Sequence, residues 1–150
     1  MLTKDELALL VEWAAFHRGG CAVALATVMG GRSEEEVEEG TAAALRQAKD
    51  GDVPTAMRIV AALLGEQGVT RDAVVVGSAL LAAYNREMYP FFSEEAIACC
   101  PDMWGSGWTV SVDAYERFCE CARRKVMKDT PSSITIARNA HAHALTNKTQ

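Results

Sequence analysis

The sequence predicts an all-α protein, and three observations carry that prediction. Alanine, the strongest helix former, falls in clusters at helical spacing along the chain. No segment alternates apolar and polar residues with the period of two that a half-buried strand requires. Helix-start signals also recur. Thr3 with Glu6 and Ser33 with Glu36 both have capping-box spacing, in which a hydroxyl and a carboxylate satisfy the first orphan amides of a helix.

The elements follow in order. After Thr3, residues Leu7, Leu10, Val11, Ala14 and Ala15 mark one face of a helix that ends near Gly19-Gly20. Cys21–Met29 reads as a short apolar helix closed by Gly30-Gly31. The next begins at Ser33, carries Glu34, Glu35 and Glu36 in its first turn where the helix dipole favours anions, and stops at Asp50-Gly51-Asp52. Pro54 suits the start of a fourth helix, because the amide it lacks has no partner there. That helix shows Met57, Val60, Ala61 and Leu64 on one face and ends at Gly65 to Gly68. Ala73–Glu87 predicts a helix despite its β-branched Val74-Val75-Val76, and Ser93–Cys100 a short capped one. Pro101–Thr109 reads as a loop with two tryptophans, Ser111–Lys128 as a helix, and Thr130-Pro131-Ser132-Ser133 as the start of a last one reaching Thr146.

The helix ends line up internally. Ala14–Gly20 resembles Gln47–Asp52 at an offset of 32, and Ala82–Glu87 matches the first copy at 68, half of which is 34. A helical pair repeating at that interval predicts an α-solenoid of three to four hairpins, in which stacking buries faces that one hairpin leaves open. The expected division is a single helical-repeat domain with repeats at 3–33, 34–70 and 71–100, a loop at 101–110 and a C-terminal hairpin at 111–146.

Composition narrows the function. With 150 residues, 49% of them apolar, the chain is long enough for one core and too apolar to stay disordered. Its apolar runs, such as Ala22–Ala26 and Ile59–Leu64, fall far short of the roughly 18–20 residues that cross a bilayer, so no membrane partner is expected. The net charge of −5 divides into 16 acids against 8 bases over residues 1–110 and 4 against 7 over 111–150. Phosphate binding needs clustered cations, so only the run Arg123, Arg124, Lys125 and Lys128 is a candidate polyanion contact; its alternative is a solvated helix end. Met1–Glu6 is too acidic for a secretory or transit signal, and five cysteines (Cys21, Cys99, Cys100, Cys119, Cys121) read as buried thiols in a reducing compartment.

The stretch from Gly51-Asp52 through Ala56, then Gly68-Val69-Thr70-Arg71-Asp72, then Ala79-Leu80-Leu81 and Tyr84, resembles a pentatricopeptide repeat. The resemblance is good over 45–87, fair over 5–44 and poor after Pro90. It implies a mitochondrial or plastid setting, and either single-stranded RNA binding or service in an RNA-processing or ribosomal assembly. The base-reading position of that family falls on Ser78 in the best repeat and on Leu10 and Ala42 in the others, two of which cannot hydrogen-bond a base. The favoured expectation is therefore a non-catalytic scaffold or adaptor that contacts protein subunits and needs no cofactor. Tyr89, Phe91, Phe92, Trp104 and Trp108 are its candidate partner-binding residues, because aromatic clusters anchor interfaces. Ser78, Arg123, Arg124 and Lys125 are candidate RNA contacts.

Three other constellations carry less. Cys21 after Gly19-Gly20, with a late His141 or His143, resembles a papain-like cysteine peptidase, in which a helix N-terminus activates the thiol and a histidine takes its proton. No Gln or Asn oxyanion donor precedes Cys21; His17 stands near that place. Cys99-Cys100 and Cys119-x-Cys121 with His141-x-His143 lack the spacing of a zinc site. Five acids within Glu34–Glu39 read as a solvated helix start, and no phosphate-cradling glycine loop is present.

Overall fold

The computed structural model describes residues 1–18, 22–100, 103 and 109–129. Among these residues there are seven helices and no strand: α1 (Lys4–Arg18), α2 (Ala22–Gly31), α3 (Glu34–Lys49), α4 (Val53–Leu63), α5 (Arg71–Asn85), α6 (Glu94–Ala98) and α7 (Val112–Asp129). The helix expected after Thr130 lies outside them.

Helix starts follow the local chemistry. The Thr3 hydroxyl accepts the Glu6 amide at 3.2 Å while the Glu6 carboxylate accepts the Thr3 amide at 2.8 Å, a complete capping box. Ser33 accepts from Glu36, Thr70 from Ala73, Ser93 from Ala96 and Ser111 from Ala114. α3 ends in a Schellman turn, with the Asp52 amide donating to Gln47 and the Gly51 amide to Ala48. Gly51 sits at φ 85°, a conformation that costs glycine little. Arg32 then joins the α2–α3 link to α4, its guanidinium donating to the carbonyls of Leu63 (3.2 Å) and Ala62 (2.6 Å) at the negative end of that helix.

The core gathers on α5. Every residue from Ala73 to Leu81 is buried, so this helix is enclosed on all sides rather than along one stripe. It packs against α1, α3, α4 and α7. α4 lies against both α3 and α5. Two glycines allow that approach: a Cβ on Gly40 of α3 would stand 2.7 Å from the Leu63 side chain, and one on Gly77 of α5 would collide with Met57. At the other end of α5, Phe92, Tyr115 and Phe118 form an aromatic cluster with ring centroids 5.3–6.4 Å apart. The Tyr89 hydroxyl donates to the Ala48 carbonyl at 2.6 Å and that of Tyr115 to the Pro90 carbonyl at 3.2 Å, pinning the segment after α5 between α3 and α7. Burial pushes both phenols above their ordinary pKa, so they stay protonated donors.

All-α is the observed class. α1 packs on α2, and α3 on α4. The third interval differs, because α6 has only 5 residues and cannot serve as a full partner for α5. α1 also packs directly on α5, across what a row of stacked hairpins would keep two repeats apart. The physical reason is the composition of α5: an all-round apolar helix needs cover on every face, and α1 supplies one of them.

Candidate partner-binding groove

α1 is apolar on two faces. Leu7, Val11 and Ala14 turn into the core, as their spacing predicted. Leu9, Trp13 and Phe16 form a second stripe at i, i+4 and i+7, gathered within about 60° at 100° per residue, and it is exposed: 64%, 45% and 85% respectively. Burying an apolar surface of this kind is favourable, so a helix that leaves large side chains in water is a candidate interface.

Beside this stripe runs a groove of about 590 Å³ between α1 and the C-terminal half of α5. Leu10 and Trp13 form one wall, the small side chains of Ala79, Ala82 and Ala83 the floor, and Phe91 and Ala96 the opposite wall. The Trp13 and Phe91 rings meet with centroids 4.6 Å apart at 55°, which ties the two walls together. Arg86 is the one charged side chain among the described residues lining the groove.

Of the aromatic residues singled out in the sequence, Phe91 reaches this groove. Tyr89 and Phe92 do not. Both are core residues, Tyr89 tied to Ala48 and Phe92 stacked on Tyr115 and Phe118. Trp104 and Trp108 lie outside the described residues. Ser78 is likewise a core group: fully buried, its hydroxyl donates to the Val75 carbonyl at 2.8 Å and accepts the Phe92 amide at 3.2 Å, which leaves it no base to read. The equivalent Leu10 and Ala42 are both half-buried.

Arg123, Arg124 and Lys125 of the basic run on α7 are exposed, and each bonds to a group of the same chain. Arg123 donates to the Cys119 carbonyl at 3.3 Å, Arg124 pairs with Glu120 at 2.6 Å, and Lys125 donates to the Cys99 carbonyl at 3.1 Å. A shallow hollow beside it, about 480 Å³, mixes Asp113, Glu116 and Glu120 with Arg117 and Arg123 and so has no dominant sign. Glu34 accepts the Lys4 amide at 3.0 Å and Glu36 pairs with Arg32 at 3.4 Å, consistent with a solvated helix start.

Cys21, His141 and His143 lie outside the described residues. Among those described, no group of three His, Cys, Asp or Glu side chains is placed to hold a metal ion. No described helix is long and apolar enough to cross a membrane. No protein-family model matches the chain, and no curated protein and no solved structure matches it either.

The stripe of Leu9, Trp13 and Phe16 is what sequence reasoning missed. Its spacing was present in the sequence, but the stronger series Leu7, Leu10, Val11 and Ala14 claims the same helix. A helix with two apolar faces is the available signal, since one core occupies only one of them.

Proposed function

We propose that this chain is a non-catalytic adaptor subunit, built on helical hairpins of the pentatricopeptide-like kind, that receives a helical segment of a partner protein along α1 and the adjoining groove. The observation that carries this reading is the exposed stripe of Leu9, Trp13 and Phe16 beside an apolar groove. An amphipathic helix docks by placing apolar anchors at i, i+3 or i+4, and i+7 into such a channel. The partner segment carries two or three apolar anchors and a carboxylate that meets Arg86, the one cation among the described residues at the groove. A protein partner is favoured over RNA by the net charge of −5 and by the burial of Ser78.

The test is a photo-activatable side chain in place of Leu9, introduced into the chain in its native cells. A discrete cross-linked partner, lost when Arg86→Glu is added, supports the reading. Cross-linking no greater than from the same probe at exposed Glu35 on α3 contradicts it, and a product of twice the chain mass identifies a second copy as the occupant.

A further inference from the structure

α1 itself has the make-up of a helix that fits the groove. Its exposed anchors Leu9, Trp13 and Phe16 stand at i, i+4 and i+7, the spacing by which an amphipathic helix fills an apolar channel. Glu12 is exposed beside that stripe, three residues after Leu9 and four before Phe16, so it borders both on the helix surface. At the groove Arg86 is exposed as well. Among the described residues, neither Glu12 nor Arg86 has an ion-pair partner in its own chain. The same chain thus presents an apolar helix edged by a carboxylate and an apolar channel edged by a guanidinium.

These are not separate patches. Trp13 belongs to both, as the central anchor of the stripe and as a wall of the groove. Contact between such self-complementary surfaces is isologous: when α1 of one copy enters the groove of another, a two-fold axis brings the second α1 to the first groove. Because Trp13 is shared, each groove is filled by the copy that it fills in return. The assembly closes at two rather than growing into a filament.

Resting on the docking reading above, we infer that the helical segment received along α1 is α1 of a second copy of this chain. Leu9, Trp13 and Phe16 of each copy pack over Ala79, Ala82 and Ala83 of the other, large side chains over a floor of small ones. Glu12 of each copy meets Arg86 of the other. Two such pairs at the rim fix the register of the helices more than they add affinity. The net charge of −5 on each chain opposes association, and burial of the stripe offsets it.

The test is sedimentation equilibrium of the purified full-length chain over a series from about 1 μM to about 1 mM. The expected result is a mass twice the 16.2 kDa of the chain. Leu9→Ser combined with Phe16→Ser returns it to a single chain with the melting temperature retained. Arg86→Glu alone raises the dimer dissociation constant at least about tenfold, and Glu12→Arg added to it restores most of that loss. A parent chain that stays monomeric throughout overturns the inference. So does a dimer that survives the double serine variant, or a charge swap that restores nothing. Cross-linking from Leu9 in cells separates this inference from the reading it rests on. A monomeric chain that captures a different protein there overturns the second copy alone; one that captures nothing overturns docking as well.

Discussion

α5 and α1 are both rich in apolar residues and of equal length, yet they use that surface differently. α5 buries an unbroken run from Ala73 to Leu81 against four other helices. α1 buries Leu7, Val11 and Ala14 and leaves Leu9, Trp13 and Phe16 in water. Hydrophobic content alone therefore does not tell a fully enclosed helix from one with an exposed apolar face; the number of faces covered does. The first kind of surface holds the fold together, and the second stays largely exposed.

Substitutions break this comparison in graded steps. Leu80→Ala, in the middle of the enclosed helix, opens a cavity and costs about 2–5 kcal/mol in denaturant unfolding. Gly77→Ala adds one methyl against Met57, itself fully buried, and overpacking of that kind lowers stability by about 1–3 kcal/mol. At the entry to α1, Thr3→Ala removes half of the capping box and costs about 1 kcal/mol. Each of these lowers the melting temperature, and a change in α5 that left it untouched would remove that helix from the centre of the fold.

A smaller effect depends on pH. The Thr55 hydroxyl, at 2.7 Å, and then its amide hold the Asp52 carboxyl below its ordinary 3.8. A carboxyl depressed in the folded state adds stability above 3.8 and loses it as pH falls through the lower folded value. Asp52→Asn should thus lower the melting temperature slightly at neutral pH, with the gap to the parent closing in acid. The smallest effect is on the outer face of α1. Leu9→Ser and Phe16→Ser change stability by no more than about 0.5 kcal/mol, because neither residue is in the core.

Local features were legible in the sequence for a physical reason. Thr3, Ser33 and Ser93 cap helices through bonds three residues away, so their meaning is contained in the neighbouring residues. The packing of α1 on α5 is not local in this sense, and the 34-residue offset described hairpins without saying which would meet. Phe91 and Phe92 show the same limit. They are adjacent in sequence, yet Phe92 turns into the cluster with Tyr115 and Phe118 while Phe91 turns to Trp13 at the groove. Ser78 looked like a surface reader because the aligned position lies early in a repeat helix, and the enclosure of α5 makes it a hydrogen-bonding core residue instead.

The most direct test of α1 as a docking helix compares native size in cell extract for the parent chain and a variant carrying Leu9→Ser, Phe16→Ser and Arg86→Glu. Docking predicts that the parent migrates in an assembly larger than the monomer, and that the variant falls to monomer size with its melting temperature retained. Identical migration of the two, at equal stability, would contradict it.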